Sequence, residues 1–392
     1  MTSLLVIIVL VLLSVAIWQM TKIFDLTQVG NSRNNSQVAN DNDNNIQGYL
    51  MFGFLAFLYI FTIYGLFKWG HLVLSNPASE HGADYDNLMW ITFAVIFFVQ
   101  AITQALLHYF AFQYRGKKDQ KALYFADNDK LEFIWTIIPV IVLAGLILYG
   151  LYTWTNIMFV DEDEDVMVVE LYAKQFSWEA RYSGKDNVLG KANVRLIEGV
   201  NTMGVDLADP NAQDDISTTE LHIPKGKKIL FKLRSQDVLH SAFMPHFRAQ
   251  MNCVPGMVTQ FAFKPIKTTD EMRQDDDMIE KVATINKIRA KKSAELVANG
   301  EAPLEPYTFD YLLLCNKICG ASHYNMQMKI VVDNPQDFQS WLKDKITIVK
   351  AASDEKAAKA AENAPIATPA PAAKKPDSTV VAQVTATTEV KK

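Results

Sequence analysis

Cys315-Asn-Lys-Ile-Cys319-Gly-Ala-Ser-His323-Tyr-Asn-Met326 places two thiols, an imidazole and a thioether in one short loop. The loop lies between two apolar runs of β character, Tyr311–Leu314 and Met328–Val332, and so reads as a connection between strands. Soft sulfur ligands select copper, imidazole suits it too, and a Met at the end of such a loop is the usual source of a weak axial contact. A blue-copper site needs only one Cys. With two Cys separated by three residues, each thiolate can bridge a pair of metal ions, and a further His must then come from elsewhere in the chain. Asp237-Val-Leu-His240-Ser-Ala-Phe-Met-Pro-His246 offers His240 and His246 as candidates. A structural tetrahedral zinc site has no use for Met326, and a Cys315–Cys319 disulfide leaves His323 and Met326 without a role. Cys253, in Met251-Asn-Cys-Val-Pro-Gly256, lacks ligand neighbours at suitable spacing and reads as a small core residue.

Working outward from this loop, the 392 residues are 49% hydrophobic, but the apolar ones concentrate in the first 160 or so. Ser3–Trp18, Leu50–Trp69, Trp90–Phe112 and Phe133–Trp154 each approach the ~20 residues that cross a bilayer. Trp18, Trp69, Trp90, Tyr152 and Trp154 fit the interfacial belt. Segment 113–133 holds Arg115, Lys117, Lys118, Lys121 and Lys130, whereas segment 70–89 has no Lys or Arg, so the first is expected inside and the second outside. Loop 19–49, Asn-rich and expected to be flexible, can also lie inside. The metal loop is then external. The acidic run Asp161–Asp165 after the last span reads as a solvated collar. Reading the first span as a cleaved signal peptide would put the basic loop outside, and that span lacks a basic start and a small-residue cleavage site.

Beyond Val166 apolar residues come in short runs: Val166–Tyr172, Leu221–Ile223, Ile229–Leu233, Val258–Phe263, Tyr311–Leu314 and Met328–Val332, the pattern of a β-sandwich. Segment 269–298 is rich in helix formers, with Met278, Ile279, Val282, Ile285 and Ile288 at helical spacing, and reads as a helical insertion between strands. Residues 350–392 are rich in Ala, Pro and Lys without periodicity and read as a disordered tail. No internal repeat or nucleotide-binding Gly motif is apparent, and no nucleic-acid partner is expected.

Between about residues 88 and 345 the chain resembles subunit II of the haem-copper cytochrome c oxidases. The family's loop reads Cys-x3-Cys-x3-His-x2-Met, and Cys315, Cys319, His323 and Met326 fall on it. The resemblance selects His240, within Asp237–Ser241, as the remote ligand, leaves His246 outside the pattern, and implies that the backbone carbonyl of Lys317 completes the set. It implies two copper ions in one dinuclear centre, haem only in a partner subunit, and an α+β membrane protein in which transmembrane helices precede a cupredoxin-like β-sandwich. The domains expected are a helix pair additional to the family at 1–70, the family's helix hairpin at 71–160, the copper domain at 161–349 and the tail. The resemblance implies electron acceptance from cytochrome c, soluble or tethered, and delivery to subunit I for proton-pumping oxygen reduction. Subunit III and the lipid bilayer complete the expected partners, in a bacterial inner membrane with the copper domain in the periplasm.

Within Lys130-Leu-Glu132-Phe-Ile-Trp135, the resemblance gives Glu132 a position at a proton-uptake pathway, although a Glu in a first helical turn is also favoured by the helix dipole. The family's Gln-Trp-Tyr-Trp cluster becomes Gln175-Phe176-Ser177-Trp178, so Phe176 takes the electron-input position, and Trp178, which matches the second Trp, is a further electron-entry candidate that also reads as a core residue. Lys317 replaces the family's Glu, whose carboxylate holds magnesium, and an ammonium cannot ligate a hard cation. The magnesium site is therefore expected to be lost or rebuilt. A quinol-oxidase subunit of this fold lacks copper ligands, the copper domain of nitrous oxide reductase is soluble with a large propeller, and a copper-delivery protein would hold one labile ion.

Overall fold

The computed structural model describes residues 2–29, 41–73, 75–160 and 165–362. Its first part is four helices, α1 Thr2–Val29, α2 Asp41–Val73, α3 Gly82–Gln113 and α4 Asp129–Met158, each long and apolar enough to cross a membrane. Side chains such as Phe54, Phe98 and Ile141 point outward, as a lipid-facing surface requires when all backbone bonds are satisfied inside the helix.

The first two helices run well past their apolar stretches, so most of the loop expected at 19–49 is helical, and residues 30–40 lie outside the described ones. Polar partners sustain these extensions. Gln19 Nε2 donates to Gln47 Oε1 at 3.0 Å, Lys22 pairs with Asp43 at 3.3 Å, and Arg115 Nε donates to Asn45 Oδ1 at 2.6 Å. Phe112 lies over Gly48, where a Cβ would come within 2.5 Å of its ring. The first pair is thus packed onto α3 through α2.

The second part is two five-stranded sheets. One contains β1 Met167–Lys174, β2 Ser177–Tyr182, β3 Ile216–Thr218, β5 Ile229–Ser235 and β8 Thr259–Phe263, in the order β3-β2-β1-β5-β8. The other contains β4 Leu221–Pro224, β6 His240–Met244, β7 Ala249–Cys253, β9 Tyr311–Cys315 and β10 Gln327–Asp333, in the order β4-β10-β9-β6-β7. β1 runs parallel to β5 and β10 parallel to β4, with antiparallel pairing elsewhere. Ile229, Phe231 and Leu233 of β5 meet Tyr311, Leu313, Met328, Ile330 and Val332 in one core cluster, the period-2 burial that makes a sandwich.

Four of these strands escaped the apolar pattern. β2 carries Glu179 and Arg181, yet Arg181 is buried because it pairs with Glu170 at 2.6 Å and Asp215 at 3.0 Å beneath loop 184–215. β6 and β7 are short and partly polar, and β3 spans only Ile216–Thr218. Between β8 and β9, α5 Thr269–Arg273 and α6 Asp276–Ala298 occupy the insertion, opened by a Thr268/Glu271 capping box. α7 Pro335–Lys343 packs Phe338 and Trp341 beside Tyr182.

The tail expected from residue 350 is corrected in its first part: α8 covers Ile348–Glu362. Ala, Lys and Glu are strong helix formers, buried Ile348 donates its N–H to Asp215 O at 2.9 Å, and Glu355 accepts from Val200 N at 2.9 Å. Residues 363–392 lie outside the described ones, as do 161–164 of the acidic run. Asp165 pairs with Lys227.

Segment 75–81, which joins α2 to α3, is built into the base of the sandwich. Ala78 N donates to His246 O at 2.7 Å, Ile266 N to Ala78 O at 2.9 Å, and the buried Ser79 hydroxyl to Phe247 O at 2.7 Å. The Arg248 guanidinium grips Asp86 of α3 through both carboxylate oxygens, at 2.7 and 2.8 Å, and donates to Ser75 O at 2.7 Å.

Candidate metal centre

β9 delivers Cys315 to one end of the sandwich and β6 starts there with His240, so two neighbouring strands set the spacing of thiol and imidazole before the loop contributes anything. Asn316 N donates to Ser241 O at 3.0 Å and Cys315 N to Met326 O at 3.1 Å, closing the loop back on both strands. Cys315 Sγ lies 3.7 Å from His240 Nδ1, 3.8 Å from Cys319 Sγ and 3.2 Å from the Lys317 carbonyl oxygen. Cys319 Sγ lies 3.6 Å from His323 Nδ1 and 3.7 Å from Met326 Sδ. Both cysteines are free thiols. The donor atoms of His240, Cys315 and Cys319 lie within 4.8 Å of one another.

His240 and Met326 are buried, His323 is half-buried, and the Lys317 side chain is exposed while its carbonyl turns inward. Burial and the adjoining Cys315 thiol push the Cys319 thiol up to about 11. A cation bound there would draw off those protons, since thiolate is the ligating form. Soft sulfur donors with imidazoles, packed this closely and not joined as a disulfide, fit copper.

The imidazole is oriented from behind. Asp237 Oδ1 is 2.8 Å from His240 Nε2, and the carboxylate also accepts from Gln175 N and Val238 N, both at 2.7 Å. Burial alone would raise the Asp237 pKa, but these hydrogen bonds outweigh it and hold the carboxyl below its ordinary value. Gln175 Nε2 donates to Cys319 O. Gly320 makes that approach possible: at φ +140, a Cβ there would come within 2.9 Å of both Gln175 Nε2 and Phe176 Cζ. The roles of Asp237, Gln175 and Gly320 were missed in the sequence. Only the Asp three residues before His240 gave a local signal, because the other two act across the fold.

Phe176 sits against the Gly320 side of the loop and is 36% exposed, while Trp178 is buried with its ring centroid 6.3 Å from that of His240. His246 lies beyond the opposite end of β6, edge-on to Phe309 and Tyr311 at 5.0 and 5.6 Å. Burial, then the charges of Lys281 and Arg248, push its pKa down to about 4. Cys253 pairs with His240 across β6 and β7, fully buried, and burial pushes its thiol up to about 12. Glu132 stands in the exposed first turn of α4, which Asn128 caps by accepting from Leu131 N at 3.1 Å. That is the end of α4 remote from the sandwich, so Glu132 is not part of this cluster.

The family model for the transmembrane domain of cytochrome c oxidase subunit II matches residues 67–153, which take in α3 and most of α4. An alternative cytochrome c oxidase subunit 2 from Bradyrhizobium diazoefficiens is 32% identical over 274 residues, 69% of this chain and 84% of that one. Cytochrome c oxidase subunit 2 of Thermostichus vulcanus is 23% identical over 306 residues, 72% of this chain and 81% of the relative. Among solved structures, the periplasmic domain of cytochrome oxidase subunit II from Bradyrhizobium japonicum overlaps 47% of this chain and 95% of its own length, at 20% identity and a TM-score of 0.27. On the strength of the relative from Bradyrhizobium diazoefficiens, which this chain covers over most of its length, the chain belongs to the cytochrome c oxidase subunit II family.

Proposed function

We propose that this chain accepts electrons from cytochrome c at a dinuclear copper centre and delivers them to haem in subunit I, where oxygen reduction is coupled to proton pumping. The observation that carries the reading is the chain of contacts from His240 Nδ1 through the sulfurs of Cys315 and Cys319 to His323 Nδ1 and Met326 Sδ, each step 3.6–3.8 Å. Cys315, Cys319, His240, His323, Met326 Sδ and the Lys317 carbonyl would hold the copper. Copper bound there supplies a one-electron redox couple.

The residues around it keep its geometry constant. Strands β6 and β9 fix His240 and Cys315, Asp237 fixes the imidazole, and Met326 and Trp178 exclude water from the inner side. Phe176 offers an aromatic contact to the donor, and Glu132 a carboxyl at the inner membrane face for proton uptake. Subunit III, a bacterial inner membrane and a periplasmic position for the sandwich complete this reading.

Copper analysis and electron paramagnetic resonance of the purified full-length chain test it. Two coppers sharing one delocalised electron are expected, with Cys315→Ser or Cys319→Ser destroying that spectrum and Cys253→Ser and His246→Ala preserving it. A single labile copper would instead favour a copper-delivery protein.

A further inference from the structure

Gln100 sits at the centre of the apolar stretch Trp90–Phe112 of α3, roughly 15 and 18 Å from its two ends at about 1.5 Å per residue. Hydrocarbon at that depth supplies no hydrogen-bonding group, and an unbonded amide there is strongly disfavoured. The two threonines of α3 avoid this by bonding their own helix. The Thr92 hydroxyl donates to Leu88 O and the Thr103 hydroxyl to Val99 O, both at 2.8 Å. Among the described residues the side chains of Gln100 and Gln104 have no hydrogen-bond partner, and His108 bonds through Nδ1 alone, to Gln104 O at 2.8 Å. We propose that this face of α3 docks a transmembrane helix of a neighbouring subunit, one of whose polar side chains hydrogen-bonds the Gln100 amide.

Residues four apart share a helix face, so Gln100, Gln104 and His108 form one stripe. His108 is buried beside Phe54 of α2, ring centroids 6.3 Å apart, Gln104 is half-buried and Gln100 is exposed, so the stripe climbs out of the α2 seam. α2 occupies one side of α3, where the Tyr59 hydroxyl donates to Ala101 O and Phe52 meets Phe112 at 5.2 Å. α4 takes another, with Leu88 Cδ2 3.9 Å from where a Cβ at Gly150 would stand. Neither covers Gln100. Ile96 and Leu107, one helical turn before it and two after, are 53% and 58% exposed on the same side and would pack along the incoming helix. The occupant follows from the amide. Lipid tails can neither donate nor accept, whereas Ser, Thr, Asn, Gln and His side chains do so between membrane helices. The chain belongs to a family of oxidase subunits, so another subunit of the same assembly is the neighbour at hand. This proposal does not depend on the copper reading.

The test places a photo-crosslinking amino acid at position 100 of the full-length chain, expressed with the subunits that accompany it, and irradiates intact membranes. Mass spectrometry should find adducts with a transmembrane segment of a different subunit. Adducts with lipid alone, or with a second copy of this chain, would overturn the proposal. Gln100→Met keeps the length of the side chain but removes its hydrogen bonds. Its complex, titrated with mild detergent, should lose that subunit about threefold more readily than the unaltered one, and Gln100→Met combined with Gln104→Met roughly tenfold. Copper content should be unchanged in both. Retention of the subunit indifferent to both substitutions would equally overturn the proposal.

Discussion

Asp237 Oδ1 stands 2.8 Å from His240 Nε2, so a carboxylate decides which imidazole nitrogen is left to face the Cys315 sulfur 3.7 Å away. Partners of this kind hold a ligand's tautomer and ring angle, and losing one typically costs about 10–100-fold in metal affinity. Asp237→Ala should therefore lose copper to a chelator at concentrations that leave the unaltered chain loaded. Asp237→Asn should fall between them. Equal copper retention in all three would show that the β6 backbone alone orients the ring.

On the proposed reading, surface chemistry around the loop sets how cytochrome c docks. Phe176, Val238 and Leu239 are 36%, 38% and 41% exposed, and the Asp237 carboxylate is occupied by hydrogen bonds from within. Docking should be mainly apolar, and cytochrome c oxidation should depend only weakly on ionic strength. Phe176→Ala should raise KM about tenfold, the usual cost of an aromatic anchor. Steep salt dependence with an unaffected KM would refute this.

Lys317 presents its carbonyl 3.2 Å from Cys315 Sγ and leaves its side chain exposed. Since an ammonium cannot ligate a hard cation, oxidase from manganese-grown cells should show no manganese resonance near this loop. Lys317→Glu should introduce one, with copper retained in both. Manganese held equally well by the unaltered chain would mean that other carboxylates form the site.

The distribution of positive charge assigns the sides of the membrane. A thiol label that cannot cross the bilayer should reach Lys185→Cys in intact cells and reach Lys118→Cys only after lysis. The opposite pattern would invert the orientation of every helix.

Asp215 gives a pH dependence with a definite sign. Burial raises its carboxyl to about 6, against the opposing pull of Arg181 and the Gly190 N–H, and one oxygen, Oδ1, has no hydrogen-bond partner among the described residues. An unfolded Asp titrates near about 3.9. The raised group therefore adds stability that is complete below that value and lost as pH rises through about 6. Hydrogen exchange at the Gly190 and Ile348 amides, both bonded to Asp215, should speed up beyond the intrinsic trend over this window. Asp215→Asn should flatten the response.

The sequence singled out the candidate metal loop because four donors with fixed spacing sit on one short segment, and it revealed the membrane helices because lipid imposes unbroken apolarity. It revealed the strands that bury one face against the sandwich core, such as β5 and β10. It concealed β2, whose Arg181 and Glu179 look exposed until loop 184–215 covers them, and β6, whose polar start is the site itself. The first turns of α8 look like unstructured tail because their anchors, Asp215 and Val200, lie far away in sequence. Segment 75–81 carried no signal for the same reason: its partners at 246–248 and 264–266 are met only after folding.

The grip of Arg248 on Asp86 makes the sandwich mechanically continuous with α3. A helix meeting a thicker or thinner bilayer adjusts by tilting. Here that tilt would be passed through the grip as rotation of the whole outer domain, so lipid composition would become a variable that re-aims the candidate metal centre.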